Sequence, residues 1–158
     1  MNKNFHKNSS CDIIRFDSHK DETDTELALY KAIEMGADEI NIYGATGSRT
    51  DHFIGNLSLL MRGMMQKANV HILDENNDIS LLAPGTYTLK KEDVLDRNIS
   101  LIPYTDKASE ITLKGFEYSV RDITLYKYIT RGISNKVTDD EAVITFTKGY
   151  LYLMITSD

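Results

Sequence analysis

Hydrophobic positions along this chain change their period once. Up to about residue 75 they switch between strand and helix spacing, and beyond it only short runs of strand type follow. Residues 11–16, Cys-Asp-Ile-Ile-Arg-Phe, read as a first strand. Thr23-Asp24-Thr25-Glu26 then reads as a capping box, with Thr23 at the N-cap and Glu26 reaching back to it. Leu29, Ala32 and Ile33 follow on one helical face, and Gly36 supplies a C-terminal stop. Glu39-Ile40-Asn41-Ile42-Tyr43 alternates as a second strand. A second helix is predicted over residues 51–66, carrying Ile54, Leu57, Leu60 and Met61, and a third strand over 70–73. Strand–helix–strand–helix–strand is the order of a parallel α/β sheet.

The polar cluster Asp74-Glu75-Asn76-Asn77-Asp78 ends the helical periodicity. Strand-like pieces follow at 79–82, 86–89, 99–102, 111–113, 123–126, 142–147 and 150–155, with turns at Pro84-Gly85 and Lys148-Gly149. The pattern predicts a parallel, Rossmann-like α/β part over residues 1–80, followed by a β-sandwich or barrel-like domain over residues 81–158.

Composition narrows the classes. The 158 residues carry a net charge of −6, which argues against a broad nucleic-acid surface, where Lys and Arg must cluster. An acidic protein can still hold a small anion through a local cation. No apolar run approaches the roughly 20 residues needed to cross a bilayer. Residues 1–10 are polar and lack the apolar centre of a secretory signal, so a cytoplasmic location is expected. The single cysteine, Cys11, fits a reducing compartment and reads as a strand thiol rather than a nucleophile.

Two strings carry candidate chemistry. In Lys20-Asp21-Glu22-Thr23-Asp24, Asp21 and Asp24 stand three apart at a helix start. Their carboxylates suit the sparse shell that Mg²⁺ prefers, Lys20 suits phosphate charge and Thr23 offers a hydroxyl. The same residue types also cap helix N-termini, with no ligand involved. In the second string, Gly44 and Gly47 bracket a turn after the 39–43 strand, where backbone lies close to a ligand or adopts positive φ. Arg49 offers a fork for phosphate, and Asp51 and His52 open a helix whose N-terminus favours an anion. His52 has no second His at a zinc-like spacing.

Together the strings resemble the thiamine pyrophosphokinase family, whose pattern is Lys-Asp-x-Thr-Asp, then Gly-x-x-Gly-Gly-Arg-x-Asp-His and a downstream Asn, here Asn56. Gly132-Ile133-Ser134-Asn135 resembles the family's Gly-Ile-Ser-Asn stretch. The resemblance implies transfer of a pyrophosphoryl group from ATP to thiamine, giving thiamine diphosphate and AMP, with Mg²⁺ as cofactor. It implies that Asp21, Asp24 and Asp51 hold metal or orient the attacking hydroxyl, and that Lys20, Thr23, Gly44, Gly47, Arg49 and His52 bind ATP. Asn56, Ser134 and Asn135 are implied to bind thiamine, in a homodimer whose site lies between subunits.

Two departures from the family pattern are expected to matter. Family members carry an earlier segment ending in Gly-Asp-x-Asp-Ser, for which residues 1–10 leave no room; Asp17 in Phe16-Asp17-Ser18 is not assigned that role. Ser48 replaces the second Gly of the Gly-Gly-Arg string and would add strain of about 1 kcal/mol if its φ were positive. The alternative reading is a non-catalytic relative that dimerises and binds thiamine without turnover.

Overall fold

The computed structural model describes residues 21–158, so the expected strand at 11–16 and Lys20 lie outside the described residues. The first helix, α1 (Asp24–Glu34), is capped by Thr23, whose side chain accepts from the Glu26 N–H at 3.2 Å. Glu26 does not close the reciprocal half of the capping box; its Oε1 accepts instead from the Tyr30 hydroxyl at 2.7 Å. At the other end the N–H groups of Gly36 and Ala37 donate to Ile33 and Ala32, a Schellman closure.

After α1 come β1 (Glu39–Tyr43), α2 (Thr50–Met65) and β2 (Asn69–Leu73), with β1 and β2 parallel and in register over five residues. Seven further strands follow: β3 (Asn77–Leu82), β4 (Gly85–Lys90), β5 (Asn98–Pro103), β6 (Lys107–Lys114), β7 (Val120–Tyr126), β8 (Glu141–Phe146) and β9 (Leu151–Thr156). They form a five-stranded sheet of order β1-β2-β3-β9-β5 and a four-stranded sheet of order β4-β8-β6-β7. Every pairing other than β1 with β2 is antiparallel. The molecule is thus a β-rich α/β fold with few helices.

One sheet runs through both halves of the chain, which the sequence pattern did not indicate. The reason lies in β3, where alternation sends successive side chains to opposite faces. Ile79 and Leu81 join Leu29, Leu59, Leu60, Val70 and Ile72 in a core beneath the helices. Leu82 joins Ile99, Leu101, Ile111, Ile144, Phe146 and Leu151 in a core between the two sheets. On α2 the packed stripe is Phe53, Leu57, Leu60, Met61 and Met64, at helical spacing. Ile54, expected on that stripe, is one residue out of phase and 60% exposed.

A short segment before β8 adds a further rung beyond β5. The Ile99 and Asn135 backbones exchange hydrogen bonds of 2.8 and 2.9 Å, and the Leu101 N–H donates to the Gly132 carbonyl at 2.8 Å. Backbone approaches so closely here that a Cβ on Gly132 would collide with the Leu101 carbonyl oxygen. Gly132→Ala is therefore expected to lower the melting temperature and to raise amide exchange at Leu101 and Asn135, while β1 and β2 keep their protection. Retained protection at Leu101 would show that the segment docks without this close approach.

Candidate active site

The segment that leaves β1 is shaped by three features. Gly44 has φ of +74°, a left-handed conformation that disfavours any residue with a Cβ. Ala45 is buried, and its carbonyl accepts from the Asn56 Nδ2 at 3.0 Å. Asn56 is itself buried on α2, so the amide pins the 44–49 loop to the helix that follows it. Gly47 and Ser48 do not have positive φ, so serine in place of the family's glycine carries no left-handed strain.

Arg49 is the N-cap residue of α2 and makes no side-chain cap. Its guanidinium grips Asp51 instead, Nε to Oδ1 at 3.2 Å and Nη2 to Oδ2 at 2.6 Å. The Arg49 hydrogen bond holds the Asp51 carboxyl down to about 2, and Asp51 in turn raises Arg49. Both side chains are about two-thirds exposed, so water screens the pair and an incoming phosphate can compete for the guanidinium. His52 is exposed in the same first turn. The loop and helix start thus offer an arginine fork and free N–H groups at the C-terminal end of a parallel strand, where α/β sheets receive anions.

The Lys20–Asp24 string is only partly brought to this place. Asp24, in the first turn of α1, shares a cleft of about 510 Å³ with Ile42 and Tyr43 at the end of β1. Thr23 is committed to capping and Asp21 is exposed. Among the described residues no three His, Cys, Asp or Glu side chains are grouped to hold a metal ion. Both oxygens of Asp51 are engaged by Arg49.

Ser134 and Asn135 stand elsewhere. Ser134 has φ of +59° and its N–H donates to the Ser100 hydroxyl at 3.0 Å. Asn135 is buried, and its amide clamps the backbone of Tyr118: Oδ1 accepts from the Tyr118 N–H and Nδ2 donates to the Tyr118 carbonyl, both at 3.0 Å. Beside it lies an apolar cavity of about 400 Å³, lined by Leu101, Phe116, Tyr118, Leu125 and Ile133 and edged by Arg131. Residue partnership across the sheet runs Tyr43–Leu73–Asp78–Ile155–Ile99–Asn135. Tyr43, from which the 44–49 loop leaves, and Asn135 therefore sit on one register line at opposite ends of the described strands, roughly 24 Å apart at a strand spacing of about 4.8 Å.

Sequence reasoning missed Asp74, whose string reads as a connection. Its Oδ1 accepts from the N–H groups of Asn76 and Asn77, each at 2.8 Å. The Thr46 hydroxyl, followed by Asn77 and Asn76, holds this carboxyl below the usual range. An Asp two and three residues ahead of Asn was the available signal for such a turn.

The thiamin pyrophosphokinase catalytic domain matches residues 1–72, and the thiamin pyrophosphokinase vitamin B1 binding domain matches residues 86–151. A thiamine pyrophosphokinase of Bacillus subtilis is 36% identical over 143 residues, covering 90% of this chain and 66% of the relative. The chain belongs to the thiamine pyrophosphokinase family. The crystal structure of thiamine pyrophosphokinase from Bacillus subtilis superposes with a TM-score of 0.83 at 37% identity, over 88% of this chain and 65% of that one. That of Geobacillus thermodenitrificans gives 0.78 at 33% identity, over 89% and 64%. The chain thus spans just under two thirds of the length of these family members.

The Arg49–Asp51 pair makes a direct prediction. Asp51 is expected to titrate near 2 by NMR, so the pair persists at neutral and mildly acidic pH and is lost only as the pH falls toward that value. In Arg49→Ala the Asp51 midpoint should rise into the ordinary carboxylate range near 3.9. An unchanged midpoint would mean that another group sets it.

Proposed function

We propose that the chain acts as a thiamine diphosphokinase, moving a pyrophosphoryl group from ATP to the hydroxyethyl oxygen of thiamine and releasing AMP. The observation that carries this reading is the pairing, in one family member, of an Arg49-bearing loop at a parallel strand end with the Ser134-Asn135 segment beside an apolar cavity. Such transfer depends on positioning and charge neutralisation more than on covalent help. Arg49 and the N–H groups opening α2 bind and orient the phosphates. The side of the sandwich that carries Asn135 and Tyr118 receives thiamine. Asp24, Asp51 and Asp21 are the carboxylates proposed to orient the attacking hydroxyl, with Lys20, Thr23, Gly44, Gly47 and His52 around the nucleotide. Mg²⁺ accompanies ATP in this reading, held by carboxylates among Asp21, Asp24 and Asp51 together with the phosphates.

The working unit in this reading is a homodimer. Roughly 24 Å separates the loop from Asn135 within one chain, too far for one small ligand to touch both, and a second copy supplies the missing half. The exposed apolar side chains Tyr118, Tyr128, Ile129 and Ile133 are the surface this copy covers. We read residues 1–80 as the nucleotide part, Rossmann-like in its β1–α2–β2 unit, and residues 81–158 as the thiamine part, in a cytoplasmic protein. Asn56 is read with Ser134 and Asn135 as a thiamine residue, its Nδ2 meanwhile pinning the Ala45 carbonyl.

The test is to incubate the chain with ATP, Mg²⁺ and thiamine and to follow AMP and thiamine diphosphate. Equimolar formation of both products is expected. ADP in place of AMP would refute pyrophosphoryl transfer. No product, with thiamine still raising the melting temperature, would establish the non-catalytic alternative.

A further inference from the structure

The two motif strings lie at the starts of two different helices, Asp24 in the first turn of α1 and Arg49 at the N-cap of α2. How the helices sit on one another therefore decides how the strings face each other. Among the described elements α1 packs chiefly against α2, while a cleft of about 510 Å³ runs between α1 and β1. Leu29 and Ile33 bring α1 into the shared core. Such apolar contact is non-directional, so it holds the helices together without fixing how far one has slid along the other.

A polar chain on the flank of the helix pair supplies the missing direction. The Arg62 Nε on α2 donates to the Tyr30 hydroxyl on α1, and that hydroxyl donates to the Glu26 Oε1 at 2.7 Å. The Arg62 guanidinium carbon also lies 5.2 Å from the centre of the Tyr30 ring. Glu26 belongs to the first turn of α1, where its N–H donates to the Thr23 hydroxyl at 3.2 Å. An arginine in the last turn of α2 is thus linked through Tyr30 and Glu26 to the N-cap of α1. A direct Arg–Glu pair on an exposed flank would be mobile and worth little. The half-buried tyrosine between them gives the link a fixed length, and the ion at each end strengthens its hydrogen bond.

We propose that Arg62 is a positioning residue for the reaction: through Tyr30 and Glu26 it fixes α1 on α2, and so sets Asp21 and Asp24 against the Arg49 loop. Arg62 and Tyr30 act here through helix placement, not through contact with a substrate.

This role rests on reading Asp21, Asp24 and the Arg49 loop as one site, and its test separates the two. Tyr30→Phe keeps the ring and removes the hydroxyl, and Arg62→Met keeps a stem and removes the guanidinium. Amide hydrogen exchange of residues 26–34 is read without ligand, and kcat and the thiamine KM with saturating ATP and Mg²⁺. Each variant is expected to speed exchange in α1 while β2 is unchanged. Each should lower kcat about five- to tenfold, the scale of one hydrogen bond, and leave the thiamine KM unaltered. The double variant should lose less than the product of the single losses, because both changes break one link. Unchanged α1 exchange overturns the proposal. So does unchanged kcat with faster exchange or a lower melting temperature, which would leave the link a merely structural one. If the unaltered chain forms no thiamine diphosphate, the proposed function fails. Calorimetry with ATP and Mg²⁺ then decides the positioning role: weaker binding in Tyr30→Phe supports it, and equal binding overturns it.

Discussion

β3 and β9 pair over six consecutive residues, from Asn77 with Thr156 to Leu82 with Leu151, and the rest of the molecule is arranged from that seam. On one side β2 and β1 continue the sheet, and with them the loop that carries Arg49. On the other side β5 continues it and docks the segment holding Asn135. Because strand spacing is fixed by backbone hydrogen bonding, the distance between the two candidate half-sites is set by the number of strands between them. It does not depend on any flexible linker. The seam is reinforced at the end that matters: the Arg97 guanidinium donates to the Asn76 carbonyl at 3.1 Å and to the Ile155 carbonyl at 2.9 Å, tying the β2–β3 turn to β9.

In the proposed function this arrangement divides the labour of the site between the two edges of the described sheet. The edge at β1 offers charge and free N–H groups at a helix start, suited to phosphates. The edge beyond β5 offers an apolar cavity and a backbone clamp, suited to a flat organic group. Neither edge alone has the chemistry for group transfer between two substrates. In the proposed function, a sheet that keeps them apart makes the assembly of chains, rather than closure within a chain, the step that completes a site.

Much of this was legible in the sequence because it is local. Thr23, the alternation of residues 39–43 and the spacing of Leu57, Leu60 and Met61 each state a period or a cap that a few neighbouring residues decide. The motif strings likewise lie on consecutive residues around turns. What escaped was non-local or depended on side-chain direction. No short pattern announces that β3 and β9 extend the sheet of β1 and β2, since the pairing joins residues almost eighty positions apart. Ile54 looked like core because it is apolar, yet it faces outward. Asn56 and Asn135 carried resemblance to ligand contacts, and the structure engages the Asn56 Nδ2 with the Ala45 carbonyl and the Asn135 amide with the Tyr118 backbone.

The central claim is that a site is completed between copies of the chain, and mixing two variants tests it most directly. Arg49→Ala impairs the phosphate edge and Asn135→Ala the thiamine edge, and each protein alone should form little thiamine diphosphate. When the two dimeric variants are mixed and allowed to exchange subunits, half the dimers are hybrid and one of the two sites in each hybrid is intact. Product formation should then return to about a quarter of the unaltered rate, by the symmetry of a two-fold dimer. Failure to recover any activity in hybrids shown to form would contradict the account, placing both edges in one chain's site.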